Sequence, residues 1–506
     1  MKRITFLLIT VFAMAVTNAQ DISDGLRYSL ENNSGTARFN ALSGSFGALG
    51  GDVSAIAINP AGSAVFLTNS ITVSLGVNDI DNSATYFNTS VKSNQSDFNL
   101  NQAGAVFVFN SRNEDSSWKK FSIGVNYLNN KNYNDDLFIA GTGNTSIGEF
   151  FLANAQGVPL DLLQLQSGET ISDLYAYLGE TQGAAAQNAF LGYQGYIIDP
   201  VDPNDPQNSH YILNIAPGSF NHEFVALERG YRGKYTANFA TQYTDNFYFG
   251  INLNSHIIDY DQSTYLYEGN SNVGSLVSEV GFENNLSVLG SGFSAQIGGI
   301  MKIGQNSRIG LTFDTPTWYV VSEETTQYLE TNRIEDEMSI NEIINPRVLN
   351  IYEDYDLRTP GKISVSAAHI FGKSGLLSFD YSYSDFSNIQ FGPTSDPVFA
   401  SENTTINDLL QGAGSYRLGG EYRFEQLSLR AGLRYNESPY KDGNTIGDTK
   451  GFSLGLGYNF GNYSFDLSYA RAEQERNQQL YNIGLTDSAA INTVYSNFVF
   501  TLGFNL

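Results

Sequence analysis

NSITVSLGVND, Asn69 to Asp79, places Ile71, Val73, Leu75 and Val77 on one side of an extended chain and Thr72, Ser74, Gly76 and Asn78 on the other. Successive side chains of a strand point to opposite faces, so this segment has one apolar face and one small, polar face. The pattern returns in KFSIGVNYLNN (120–130), FYFGINLNSHI (247–257) and QLSLRAGLRYN (426–436). In the last of these Arg430 and Arg434 share the small, polar face and leave the apolar face uncharged. Repetition of this alternation along the chain predicts an all-β fold.

Fourteen such strands are expected, near residues 69–79, 99–110, 118–131, 233–243, 247–260, 286–304, 307–320, 360–371, 375–388, 414–425, 427–437, 450–460, 463–474 and 491–506. Most reach the roughly 9–11 residues that cross a bilayer when tilted. Tight connections (243–246, 304–307, 371–375, 424–426, 460–462) alternate with long ones (132–232, 321–359, 389–413, 471–490). Short turns on one side and long loops on the other describe an antiparallel transmembrane β-barrel of an outer membrane. NFVFTLGFNL (497–506) is a last, aromatic-rich strand suited to closing on the first. A stack of β-sandwiches also gives short alternating strands, but it rarely keeps charge off one face over so many of them.

The composition agrees. Only 16% of residues are charged while 13% are aromatic, which suits strands whose outer faces meet lipid. The formal net charge of -25 disfavours nucleic-acid binding. There is no cysteine for a disulfide scaffold, a thiolate metal site or a cysteine nucleophile, and no metal site or cofactor is expected. Residues 1–19 have the basic start, apolar run and small-residue end of a signal peptide. Export would bring the chain to the barrel-assembly machinery of the outer membrane. Ten acidic against three basic residues in 321–358 predict a solvated outer face that meets lipopolysaccharide through divalent cations.

Residues 20–68 lack period-2 alternation and form a leader before the first strand, with residues 69–506 as the barrel. Its corner Asn59-Pro60-Ala61-Gly62 is a stop: Pro60 has no N–H and pushes Asn59 out of the helical region, while Gly62 permits close approach. GTARFNALSGSFGALGGDVSAIAINPAGSAVF (35–66) resembles the plug, or hatch, of the FadL-like outer-membrane transporters of long-chain fatty acids and hydrocarbons. RIGLTFDTPTWY (308–319), LRTPGKISVSAAHIFGKSGLLSFDYSYSDFSN (357–388), YRLGGEYRFEQLSLRAGLRYNESPY (416–440) and GFSLGLGYNFGNYSFDLSYA (451–470) look like its barrel strands. The resemblance implies fourteen strands around a hatch that blocks the lumen, and passive diffusion of an apolar molecule toward a side opening in the wall. The connection 132–232 is longer than the family leads one to expect.

Within that connection Ser146 and Glu149 have capping-box spacing, and a second helical piece is expected from Asp173. Phe150, Phe151, Leu162, Leu163, Leu165, Leu174, Tyr177 and Leu178 offer a greasy outer surface for first capture of a lipid-like ligand, or else form the core of the loop. Arg417, Arg423, Arg430 and Arg434 fall on lumen faces. They pair either with a ligand carboxylate or with Glu421, Asp380 and Asp466 in a structural network. No nucleophile, base and orienter grouping emerges, so an enzyme is not expected. The alternatives to transport are a haem or other receptor using His210 and His222, and a structural barrel.

Overall fold

The computed structural model describes residues 22–113, 115–336 and 338–506. The expected signal peptide lies outside them. The wall consists of β1 (Ser70–Tyr86), β2 (Thr89–Asn110), β3 (Trp118–Asn132), β4 (Phe220–Tyr243), β5 (Phe247–Gly269) and β6 (Val277–Ile303). It continues with β7 (Ser307–Asp314, resumed at Trp318–Glu335), β8 (Lys362–Phe371), β9 (Gly375–Asp385), β10 (Gly412–Phe424) and β11 (Leu427–Asn436). β12 (Ile446–Asn459), β13 (Tyr463–Gln479) and β14 (Ser488–Asn505) complete it. Each strand pairs antiparallel with the next, and β14 returns to β1 with Phe504 opposite Ile71 and Leu502 opposite Val73, closing a fourteen-stranded barrel. Closure removes the free edges that hydrocarbon could not satisfy.

The apolar halves of the strands point outward, as Phe107, Leu311 and Leu454 show by their exposure. Trp118, Tyr243, Phe424, Tyr458 and Tyr463 ring the short-turn end, and Tyr127, Tyr235, Tyr381 and Tyr416 stand toward the other. Such aromatic girdles mark the two interfaces of a bilayer.

Several strands run further than the alternation foretold. β4 begins at Phe220 instead of 233, β7 continues to Glu335, and β6 spans 27 residues, well beyond the roughly 9–11 needed to cross. Beyond the Tyr235 level the outer face turns polar, with Glu223, Asp259, Asp261, Glu283 and Glu324, while the inner face carries the buried Phe224, Phe282 and Leu329, so the apolar-out pattern of the membrane zone is reversed there. The expected loops 132–232 and 321–359 are therefore partly sheet.

A cap sits on this extension. It contains a short strand (Asp135–Gly143) paired to β4 and the helices α3 (Gly148–Ala155), α4 (Ile171–Thr181) and α5 (Ala184–Gln194). Its core joins Phe151, Leu174, Leu178 and Phe190 to Tyr86, Phe282, Leu329 and Ile491 of the wall. The capping box forms at Thr170 and Asp173 of α4, not at Ser146 and Glu149. Ser146 instead donates to Glu268 at 2.5 Å, and Glu268 also accepts the Ile147 amide at 2.6 Å. A carboxylate from the wall thus does the work expected of Glu149.

Inside the lumen lies the hatch. Its helices α1 (Ile22–Arg27) and α2 (Ala37–Ala41) and its 3-10 turns Ser54–Ala57 and Pro60–Val65 are too short to be stable alone. They are held because inward-facing wall glycines let backbone meet backbone. A β-carbon at Gly250 would lie 2.5 Å from the Pro60 carbonyl oxygen, one at Gly298 2.7 Å from Pro60 Cδ, and one at Gly432 2.6 Å from the Leu42 carbonyl carbon. Gly298→Val should therefore unseat the corner by overpacking, at a cost of about 1–3 kcal/mol. Limited proteolysis of the detergent-folded protein should then cut the hatch, while the barrel keeps its heat-shifted mobility in gel electrophoresis.

Candidate functional site

The corner Asn59-Pro60-Ala61-Gly62 is wholly buried. Asn59 caps the second 3-10 turn: its Oδ1 accepts the Ala61 amide at 3.1 Å while its Nδ2 donates to the carbonyls of Gly47 (2.7 Å) and Gly299 (3.1 Å). One side chain thereby joins the turn, the rest of the hatch and the wall. Pro60 begins the turn, where its missing N–H is harmless. Gly62 serves by close approach, since a β-carbon there would stand 3.3 Å from Gly50 Cα.

Wall side chains satisfy hatch amides that the short helices leave open. Asp380 Oδ2 accepts from Phe46 (3.0 Å) and Gly47 (2.8 Å), Thr501 from Ala37 (2.7 Å), and Ser453 from Ser43 (3.1 Å). Glu421 is the main ionic anchor. It accepts from hatch Arg38 (2.9 Å), from Arg423 (2.6 Å) and from Arg430 (2.7 Å), and Arg430 also reaches Asp466 at 2.5 Å. Two of the four lumen arginines expected from sequence, Arg423 and Arg430, thus belong to a network that holds the hatch.

The other two, Arg417 and Arg434, face a cavity of about 280 Å³ between hatch residues 28–34 and the wall. Eleven asparagines line it, together with serines, threonines and charged groups, but Leu30, Ile80, Tyr319, Phe386 and Tyr495 give it nearly as much apolar surface as polar. Hatch Glu31 projects into it and accepts from Lys362 at 3.0 Å and from Asn130 at 2.9 Å. Burial alone would raise the Glu31 carboxyl; Lys362, Lys234, Arg232 and the Asn130 amide outweigh burial and hold it well below the usual carboxylate range. Sequence reading passed over Glu31, Lys234, Lys362 and Arg232. The available signal was the run LNNKNYN (128–134), whose asparagines break the apolar alternation of β3.

The cavity reaches a seam in the wall. β2 pairs with β3 from Asn110 only as far as Gln102, opposite Leu128, although β2 stays on β1 up to Thr89. At that level β2 carries a bulge at Asn101, whose amide donates to the hatch carbonyl of Gly35. Above it no β2–β3 rung follows, and Asn132 Nδ2 of β3 donates across the seam to Asp97 of β2 at 2.7 Å. Asn99, Asn101, Asn129, Asn130 and Asn132 line the cavity at this seam, and Phe98 and Leu100 stand exposed on its outer side.

The greasy surface expected on the outer loop is not assembled as a groove. Phe150, Phe151, Leu163, Leu174 and Leu178 are buried in the cap core, Leu162 packs against it, and only Leu165 and Tyr177 are exposed. The correction has a simple cause: the cap packs its own apolar side chains onto the lumen faces of the extended strands. His222 is buried between Glu268 (2.8 Å) and Tyr86 (3.5 Å), while His210 lies exposed.

Among known proteins, the model of the family described as outer membrane protein transport protein (OMPP1/FadL/TodX) matches residues 236–505. The fold is similar to a Pseudomonas aeruginosa FadL homologue, with 12% identity, TM-score 0.53, and 94% of this chain and 99% of that one covered. It is also similar to the Pseudomonas putida toluene transporter TodX, with 14% identity, TM-score 0.51, and coverage of 94% and 99%. Comparison with curated protein sequences gives no match.

Glu421→Gln should leave Arg38 without its buried partner and lower unfolding stability by about 3–5 kcal/mol. The same substitution should raise ion conductance in planar bilayers through a loosened hatch; unchanged conductance would show that Glu421 does not hold the plug.

Proposed function

The chain belongs to the outer-membrane transport protein family OMPP1/FadL/TodX, and from that premise we propose that it conducts long-chain fatty acids or similar hydrophobic small molecules by passive diffusion. Its barrel is integral to a bacterial outer membrane, and the family consists of channels for hydrophobic compounds, not enzymes. The observation that carries the reading is the continuity of the lumen cavity with the seam between β2 and β3. A ligand held beside the hatch segment 28–34 has on one side a plug made of short, wall-supported turns. On the other it has a wall line closed by asparagine and aspartate side chains in place of backbone rungs.

The steps follow from these parts. The ligand displaces hatch segment 28–34, whose Glu31 occupies the basic side of the cavity. It then parts the side-chain bonds at Asp97 and Asn132 and leaves sideways, where Phe98 and Leu100 face lipid. Lateral release suits an apolar cargo because its chain passes from protein to hydrocarbon without crossing water. No energy source is required, since partition into the membrane supplies the drive. Of the two histidines named for a haem receptor on the same barrel, His222 is committed to Glu268 inside the wall, which leaves His210 alone on the surface.

The chain has no native cysteine, so the seam can be locked cleanly. In cells lacking their own transporter, Asp97→Cys with Asn132→Cys should take up oleate normally when reduced and at least about tenfold more slowly when oxidised to a cross-link. Equal uptake in both states would reject the lateral route. No gain in oleate or toluene uptake on expressing the unmodified chain would reject the function itself.

A further inference from the structure

The short-turn end of the barrel holds a second cavity, of about 470 Å³, which opens toward the periplasm beneath the hatch. It is separate from the cavity above. On β7 it takes Arg308 where the upper one takes Asp314, and on β10 it takes Arg423 where the upper one takes Arg417. Six basic side chains line it, Arg38 of the hatch with Lys120, Lys302, Arg308, Lys373 and Arg423 of the wall and its turns, and the lining includes no aspartate or glutamate. In a chain with 27 basic against 52 acidic residues, a surface of one positive sign is not a sample of the composition.

Four of these cations have a structural task. Arg38 and Arg423 pair with the buried Glu421. Lys120 Nζ donates to the Phe66 carbonyl at 2.6 Å and Arg308 Nη1 to the Leu49 carbonyl at 2.6 Å, so the wall grips the lower edge of the hatch. Lys302 and Lys373 hold nothing in place. Lys302 stands directly opposite Arg308 across the β6–β7 ladder, an arrangement of like charges that costs stability, and its ammonium lies over the Tyr248 ring, 5.2 Å from the centroid. Lys373 is exposed in the turn between β8 and β9. Among the described residues neither has a carboxylate partner. Between the cations lie the apolar side chains of Val65, Ile370 and Leu376, and Leu67, where the hatch runs into β1, is 82% exposed.

We propose that this basic bowl is a docking surface for an acidic peptide segment of a periplasmic protein, one that carries apolar side chains between its carboxylates. Charge complementarity sets the sign of the partner, since acids arriving there meet cations that the chain itself leaves unpaired. The spread of the cations sets its size. They run from β3 to β10, an arc of roughly 30 Å at about 4.8 Å per strand, too wide for a single phosphate and about the length of nine extended residues. A phospholipid of the inner leaflet meets the outer face of the wall, whereas these side chains line the lumen mouth. A partner seated in the bowl touches the hatch directly, because Leu49, Gly51 and Val65 belong to the same lining. The surface goes beyond the channel reading and does not depend on which molecule is conducted.

The test uses the full mature chain in a neutral detergent, with a labelled decapeptide of alternating glutamate and leucine as the probe. Fluorescence anisotropy should show saturable binding that weakens as salt is raised. A glutamate–serine peptide should bind more weakly, and a lysine–leucine peptide should not bind. Lys302→Gln with Lys373→Gln should weaken binding of the probe about tenfold or more, and Lys302→Arg with Lys373→Arg should keep it. The same heat-shifted gel mobility in all three proteins shows that the variants fold. Equal binding by wild type and the Gln pair overturns the surface, as does equal binding of the lysine–leucine peptide. A glutamate–serine peptide that binds as tightly as the probe overturns the apolar part of the match. Displacement of the probe by inorganic phosphate but not by chloride at equal ionic strength assigns the bowl to a small anion, and displacement by phosphatidylglycerol micelles assigns it to a lipid headgroup; either result overturns the peptide.

Discussion

Backbone contact between the hatch and the inner wall is the constraint from which the rest follows. Where β5, β6, β10 and β11 present Gly250, Gly298, Gly419 and Gly432 inward, the chain of the hatch comes so close that any side chain would collide with it. The hatch cannot build enough regular structure to satisfy its own amides, so it borrows acceptors from Asp380, Thr501 and Ser453. Wall and plug are in this sense one folding unit, and the small polar faces of the strands are shaped as much by the plug as by water. The lumen-facing positions that remain free of it, beside residues 28–34, are where a ligand finds room.

The barrel was legible because one rule governs every membrane-crossing strand: apolar out, small or polar in. That rule lapses once a strand rises above the bilayer, which is why the upper part of β4 and the far end of β7 passed for loops. Asn59 and Pro60 announced a corner, and the structure adds what a local reading cannot supply, the reach of the Asn59 amide to Gly299 on β6. The lumen arginines were visible as a set, but their division into Arg423 and Arg430, bound to Glu421, and Arg417 and Arg434, facing the cavity, depends on which strands are neighbours. The aromatic and leucine residues of the long connection were visible too. Whether they cover a surface or fill a core depends on what lies beneath them, here Phe282, Leu329 and Ile491, from strands distant in sequence. Glu31 left no local trace because its meaning comes from Lys362, in a strand more than three hundred residues away.

Charge is distributed unequally for a physical reason. The outer extension carries acids such as Asp259, Asp261 and Glu324 in water, where single charges are cheap to hold. The cavity lies within the lumen and its charged lining has a basic majority, and away from bulk water those charges interact more strongly than they would on the outside. Glu31 answers part of that field while the plug is seated.

The clasp between Asp97 and Asn132 has a mechanical consequence. Rungs of a sheet are cooperative, and pulling one apart invites its neighbours to follow, so a gate made of them would tear. A clasp made of rotatable side chains swings aside one bond at a time and leaves the hoop of strands below Gln102 and Leu128 untouched. On the proposed lateral route, cargo would pass the flank again and again while the cylinder kept its girth, like a coat unbuttoned at the collar.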